Sequence, residues 1–273
     1  MTLFQAVILG AIQGITEFLP ISSSGHLVLV PFLLGWQIPE EQVFPFDVLV
    51  QVGTLAAVVA YFWRDLSRIA REFITALWKR QPFETLPARQ GWYLLLASLP
   101  AGVFGVLIKP LVERAFNSPV ATAYLLFGTA GLLLIAERVG KQRRNFEEIT
   151  WMDALWIGAF QAMAVFPGIS RSGATITGGM TRHLRRRDAG RFSFLMSVPI
   201  MVAAGLYSGY DLLRNPGIEF LIAPLLVGMA TAAIVGYFSI GWLMSFLQRR
   251  SLTSFAMYCM LIGSITIILA YVP

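Results

Sequence analysis

A 21-residue stretch occurs twice in this chain, 148 positions apart and without a gap. AVILGAIQGITEFLPISSSGH (6–26) aligns with ALWIGAFQAMAVFPGISRSGA (154–174). The copies share Ala6/Ala154, Gly10/Gly158, Ala11/Ala159, Gln13/Gln161, Phe18/Phe166, Ile21/Ile169, Ser22/Ser170, Ser24/Ser172 and Gly25/Gly173. Each is an apolar run broken in the middle by proline, glycine and hydroxyl residues. The second break, PGISRSGAT (167–175), also holds Arg171. An ionisable side chain at that depth in apolar sequence is costly unless it faces a cavity or a ligand. The fold must therefore satisfy two related polar breaks within an apolar medium.

Composition identifies that medium. Of 273 residues, 56% are hydrophobic and 13% charged, with a mean hydropathy of +0.68. A soluble domain cannot bury so much apolar surface, and the apolar runs are longer than the alternating segments of a membrane β-barrel. The chain reads as an all-α polytopic membrane protein. Its net charge of +6 does not imply nucleic acid, because the basic residues cluster at the ends of apolar runs, as cytoplasmic Lys and Arg do. A lone cysteine, Cys259, excludes an intramolecular disulfide and a cysteine-based metal cluster. MTLFQAVILG lacks the basic n-region of a cleavable signal.

A helix crossing a bilayer needs about 20 mostly apolar residues. Six stretches qualify: 45–63, 91–108, 119–136, 192–212, 218–247 and 252–272. The fifth is long enough to be tilted, or broken near Pro224 or Gly228. Two others, 3–36 and 151–184, are split by LPISSSG and FPGISRSG. Their pieces are about 15–24 Å long as helices, too short to span. Both read as re-entrant helix–loop–helix hairpins, since irregular backbone survives at membrane depth only inside protein or beside a water-filled cavity.

Re-entrant hairpins sort the charges. Arg64, Arg68, Arg71, Lys79, Arg80, Arg89, Arg138, Lys141, Arg143, Arg144, Arg182, Arg185, Arg186, Arg187, Arg191, Arg249 and Arg250 then share one face, expected to be cytoplasmic. Lys109, Arg114 and Arg214 fall on the other face. Each half is one hairpin plus three spans, so the halves insert in opposite senses. This predicts an inverted-topology repeat within a single integral-membrane domain: repeat 1 at 1–137, repeat 2 at 151–273 and a basic cytoplasmic linker at 138–150. Both termini are expected outside the cytoplasm, and the ligand site near the midplane where the breaks meet.

In the first copy Gln13 and Glu17 are four apart on one helix face that ends at the break. Ser22, Ser23, Ser24, Gly25 and His26 follow; Ser170, Arg171, Ser172, Gly173 and Thr175 occupy the second break. Both sets open a helix, where unpaired N–H groups and a positive dipole end suit a phosphate. Arg171 adds a planar fork for oxyanions. Blander roles compete. Gly10, Gly158 and Gly53 equally suit close helix packing, and Glu17 could serve only as a structural partner of Arg171. Asp47 and Gln51 either line the same cavity or bond to backbone. His183, in the basic RHLRRR segment, reads as solvated or at lipid headgroups. Trp and Tyr residues near span ends read as interfacial anchors.

The motifs QGITE (13–17), FLPISSSGH (18–26) and PGISRSGAT (167–175), with weaker support from FDVLVQVGTLAAV (46–58) and FSFLMSVP (192–199), resemble the bacterial undecaprenyl-diphosphate phosphatases associated with bacitracin resistance. The likeness covers essentially the whole chain. It implies an inner-membrane enzyme that hydrolyses polyprenyl diphosphate to the monophosphate and inorganic phosphate, recycling the carrier for peptidoglycan synthesis. It also implies a divalent cation, Mg²⁺ or Ca²⁺. Glu17 would bind that cation or act as a base; Gln13 stands where some members have Glu, so cation sharing there is in doubt. Arg171, with Ser22, Ser24, Gly25, Ser170, Ser172, Gly173 and Thr175, would hold phosphate. His26 would donate a proton or attack phosphorus, with Ser23 as the alternative nucleophile and His26 as its base. The expected partners are the lipid substrate and the bilayer, without nucleic acid; a homodimer stays open. A transporter or flippase for phosphate, an anion or polyprenyl phosphate is the alternative, because inverted repeats with broken helices are transporter architecture. Glu17 and His26 separate the two, since an anion carrier has little use for a carboxylate facing its cargo.

Overall fold

Both copies of the repeat begin with the same device, four residues before the sequence identity becomes visible. Thr2 caps α1 (Leu3–Thr16) and Thr150 caps α8 (Trp151–Met163). Each threonine accepts the amide of the residue three on, and that residue's side chain, Gln5 or Asp153, accepts the threonine amide in return. Such capping boxes satisfy two donors that a helix start otherwise leaves bare. The first helices end at Thr16 and Met163, and the second helices, α2 (Ser23–Leu33) and α9 (Arg171–Thr181), start after the breaks. At 1.5 Å per residue these four helices are about 16–21 Å long, short of the roughly 30 Å of hydrocarbon. Within each copy the second helix folds back against the first. The hairpin reading holds.

The structure, a computed structural model, describes residues 1–213 and 219–271; Arg214 lies outside them. Among the described residues, five helices are long and apolar enough to cross a membrane: α5 (Leu86–Leu107), α7 (Pro119–Val139), α10 (Arg186–Leu213), α11 (Glu219–Arg249) and α12 (Thr253–Tyr271). A sixth is counted when α3 (Glu40–Tyr61) and α4 (Trp63–Trp78) are taken as one bent span. The bend is 82°. Between the first two predicted spans the chain forms a helix not assigned from the sequence: α4, with Ile69 and Ala76 buried and Trp63, Ile74, Leu77 and Trp78 exposed. Its one-sided apolar pattern suits a helix lying along the membrane interface. A short helix, α6 (Lys109–Phe116), was also not predicted; its Val112 and Phe116 pack on Val28 of α2, beside Val165 and Phe166 of the second break. The fifth span is an unbroken helix through Pro224 and Gly228.

The halves interlock through exchanged partners. In the first, α1 packs on α11; in the second, α8 packs on α5. The repeated glycines make both contacts. A Cβ on Gly10 would stand 2.4 Å from the Gly228 carbonyl oxygen, and one on Gly158 2.6 Å from that of Ala97. Gly53 faces the Met229 carbonyl in the same way. All three glycines therefore serve backbone-to-backbone packing, the small-residue contact typical of membrane helices.

At one end of the bundle the basic segments bind each other's acids. Arg191 pairs with Asp65 at 2.7 Å, and Arg186 pairs with Glu137, which also accepts the Leu252 amide. Asp153, fully buried, receives Arg144 and Arg182, each at 2.6 Å. Burial would raise its pKa, but bonds from Arg144, Arg182 and Thr150 prevail and hold it well below the usual carboxylate range. Four separate connections thus converge on one face, as the charge map requires. His183 belongs here, its carbonyl accepting the amides of Arg143 and Arg144. Lys109 stands elsewhere, over the ring of Tyr207.

Candidate active site

The two breaks touch. Gly168 donates its amide to Ser22 Oγ at 3.0 Å, and Ser172 Oγ donates to the Leu19 carbonyl at 3.1 Å. Each serine that opens a break also caps its own helix, Ser22 accepting the Gly25 amide and Ser170 that of Gly173. The caps leave the first two amides of each helix, at Ser23, Ser24, Arg171 and Ser172, as the bare donors of a helix start. Ser22 reaches its double role through a strained backbone, φ +70° and ψ +96°, whereas its counterpart Ser170 is relaxed at φ −68°. A non-glycine residue in that region is uncommon and marks a site held by its surroundings.

At the junction Glu17, 5% exposed, receives three partners. Gln13 Nε2 donates to Oε2 at 2.8 Å, Ser23 Oγ donates to the same oxygen at 2.5 Å, and an Arg171 guanidinium nitrogen bonds Oε1. One carboxylate, one guanidinium and one hydroxyl therefore meet, two from the first copy and one from the second. Around them Ser23, Ser24 and Arg171 keep partial exposure, while Gln13, Ser22, Ser170, Ser172 and Thr175 are buried. Ser23 and Arg171 thus present a hydroxyl and a guanidinium to the two oxygens of one buried carboxylate.

Other predicted residues stand differently. Thr175 bonds the Arg171 carbonyl and Ser193 Oγ, at 2.8 and 2.6 Å. Its hydroxyl ties α9 to its own preceding turn and to α10. Ser23 Oγ turns to Glu17 and not to His26. His26 instead bonds the Ser22 carbonyl through Nδ1 and the Tyr258 hydroxyl through Nε2. Gln51 donates to the Asp47 backbone carbonyl. Both Asp47 carboxylate oxygens are buried without a partner, beside a small cavity lined by Leu9, Leu27, Val28 and Phe46.

Two residues carry the site without having signalled it in sequence. Thr129 of α7 donates to the Gly168 carbonyl at 2.6 Å and accepts the Ser170 amide at 2.9 Å, pinning the second break from the first half of the chain. Tyr258 of α12 was read as an interfacial anchor.

With this geometry in place, comparison with known families is decisive. The family model for bacitracin resistance protein BacA matches residues 6–265. The chain belongs to the BacA family. Among similar BacA-family relatives is an undecaprenyl-diphosphatase of Chlorobium limicola, 43% identical across 97% of this chain and 95% of the relative. Proteins of the same description from Myxococcus xanthus and Synechocystis are 38% and 42% identical, covering 98% and 96% of this chain and 89% and 81% of their own lengths. The match runs through both breaks and all the helices between them, so BacA membership applies to the two-sided site as a whole.

The donors at the junction bear on a divalent cation. Gln13 Oε1 is buried without a partner, one bond from being a ligand, and Glu17 is beside it. Both offer hard oxygen, which suits Mg²⁺ or Ca²⁺, and Mg²⁺ usually takes one or two carboxylates plus substrate phosphate. Among the described residues no three His, Cys, Asp or Glu side chains gather to form an all-protein cage. The residues fit an ion that the substrate helps to hold.

Proposed function

We propose that this chain hydrolyses undecaprenyl diphosphate to undecaprenyl phosphate and inorganic phosphate, in the plasma membrane of a bacterium. The product re-enters the carrier pool for peptidoglycan synthesis, and faster recycling would confer bacitracin resistance. The observation that carries the reading is the Glu17–Ser23–Arg171 cluster where the two breaks meet.

Phosphoryl transfer is chiefly positioning and charge stabilisation. The terminal phosphate would lie against Arg171 and the bare amides of Ser23 and Ser24, with Ser24 Oγ beside them. Ser22, Ser170, Ser172, Gly25 and Gly173 frame this cradle. Ser23 Oγ attacks the terminal phosphorus, its proton passes to Glu17 Oε2, and the anhydride bond breaks to release undecaprenyl phosphate. Water then attacks the phosphoserine phosphorus, the P–Oγ bond breaks as Glu17 returns the proton to Ser23 Oγ, and inorganic phosphate leaves carrying both protons of the water. Bound at Glu17 and Gln13, a Mg²⁺ or Ca²⁺ would neutralise diphosphate charge. His26 would serve from the side: its Nδ1–H bond to the Ser22 carbonyl steadies the strained turn that presents the Ser23 and Ser24 amides, and its charged form would offset the negative charge of the departing phosphate.

Purified protein in detergent is expected to release phosphate from undecaprenyl diphosphate, and a chelator to abolish the release. Anion exchange in liposomes without any phosphate release would overturn the reading in favour of a carrier.

The orientation follows from the basic face. With that face cytoplasmic, both termini lie outside. Cys259 is buried, so introduced cysteines report cleanly. Thr2→Cys is expected to react with an impermeant maleimide in intact cells and Lys141→Cys only after lysis; the reverse result inverts the topology.

A further inference from the structure

Both ring nitrogens of His26 are committed, and neither touches the Glu17 cluster. Nδ1 lies 2.7 Å from the Ser22 carbonyl, which can only accept, so Nδ1 carries a hydrogen. The lone pair of the neutral ring is therefore on Nε2. That atom lies 2.9 Å from the hydroxyl of Tyr258, 232 positions away in the sequence. The two rings also stack, with centroids 5.6 Å apart and planes within 6°.

Tyr258 occupies a boundary. On α12 its neighbours Phe255, Ala256 and Cys259 are buried, while Leu261, Ile265 and Ile268, on its own side of the helix, are exposed to the bilayer. A tyrosine serving only as an interfacial anchor directs its hydroxyl toward headgroups. This one turns inward to an imidazole that is 6% exposed. The second copy has Ala174 in the place of His26, so the pair exists on one side of the pseudo-symmetric bundle only.

A phenol both donates and accepts. It can give its hydrogen to Nε2 of the neutral ring and accept from Nε2–H of the imidazolium. The bond then survives a change in the protonation of His26, which a carbonyl or an ammonium partner would not allow. We propose that Tyr258 is a positioning residue for the hydrolysis, holding His26 in one orientation through Nε2 whichever protonation state the ring adopts during a turnover. The proposal rests on His26 serving the reaction given above.

Tyr258→Phe keeps the stacked ring and removes only the hydroxyl. We expect kcat for undecaprenyl diphosphate to fall about tenfold, a fraction of the roughly 10²-fold that a misplacement of about 1 Å can cost, with KM within about twofold. The same change should have no further effect in a His26→Ala background, because a residue acting through His26 has nothing left to position. With two histidines in the chain, ¹⁵N-histidine NMR of wild type and of a His183→Gln variant assigns His26. The Nε2 signal should be that of a hydrogen-bonded nitrogen and should shift in Tyr258→Phe. Wild-type kcat in Tyr258→Phe, additive losses in the double variant, or an Nε2 free of hydrogen bonding in the wild type would each overturn the proposal. A wild type without phosphatase activity would sink the functional reading instead, and the NMR contact would remain.

Discussion

Arg171→Ala is expected to lower phosphate release by about 10³-fold or more, the scale on which an arginine stabilises a transferring phosphoryl group. The guanidinium stands at the junction of the breaks, partly exposed, with one nitrogen on Glu17 and the rest of its fork available to the terminal phosphate. The same substitution strips its cation from Glu17, whose side chain is only 3% exposed. Breaking a buried pair from one side costs about 3–5 kcal/mol of stability, so loss of activity alone does not establish a phosphate clamp. A second variant separates the effects. Adding Glu17→Gln to Arg171→Ala removes both charges, and melting should recover toward wild type while turnover stays lost. Arg171→Lys should melt near wild type yet turn over poorly, because an ammonium keeps the charge without the planar fork. Wild-type turnover in Arg171→Ala would sink the clamp, and recovery of activity in the double variant would reduce the arginine to a structural counter-ion.

The copies have diverged where this chemistry requires. Glu17, Ser23 and His26 are replaced by Val165, Arg171 and Ala174 in the second. The caps, the packing glycines and the serine pair remain common to both. The repeat is thus a scaffold that brings two helix starts together, and a handful of differences between the copies makes the meeting point asymmetric. Neither half holds both the carboxylate and the guanidinium.

This division was readable because local rules govern it. Two gapless copies, their caps and their short helices follow from spacing and from the rule that buried backbone must be satisfied. Cross-bundle contacts obey no such rule. Thr129 lies within an apolar helix, where a threonine commonly bonds its own preceding turn; only the packing of α7 on the second break shows it bridging Gly168 and Ser170. Tyr258 near the start of an apolar span looks like any interfacial aromatic until α12 is placed beside α2. The pairing of Ser23 with Glu17 rather than His26 was hidden for a related reason. On α2 the strained Ser22 turns its carbonyl toward the His26 ring and takes Nδ1, and a positive φ at a serine leaves no mark in sequence. The helix α4 was legible in principle, since Leu66, Ile69, Phe73 and Ala76 recur at helical spacing. Its arginines, read only as a charge marker of the cytoplasmic face, masked it.

The second large effect is expected at Gly168. Its φ is +101°, a conformation that side-chain-bearing residues rarely adopt. A Cβ there would stand 2.4 Å from the Thr122 carbonyl oxygen and 2.7 Å from Leu125 Cβ, both on α7. Backbone strain of about 1–3 kcal/mol adds to overpacking of about 1–3 kcal/mol, and neither neighbour is the far end of a flexible chain. In Gly168→Ala the loop must therefore move. Its carbonyl and amide are the bonds to Thr129 and Ser22, and Arg171 is three residues on. A displacement of about 1 Å at a positioning group can cost about 10²-fold in rate, so Gly168→Ala should lose at least that much turnover and melt lower. Gly131→Ala is the matched control: it lies on the same α7, and its Cβ would meet nothing within 4 Å. Inside a helix that change gains about 0.5–1 kcal/mol, so melting should hold or rise with turnover unchanged. Equal behaviour of the two variants would mean that the second break tolerates a side chain at its tightest point. Arg171 would then not owe its position to the loop that carries it.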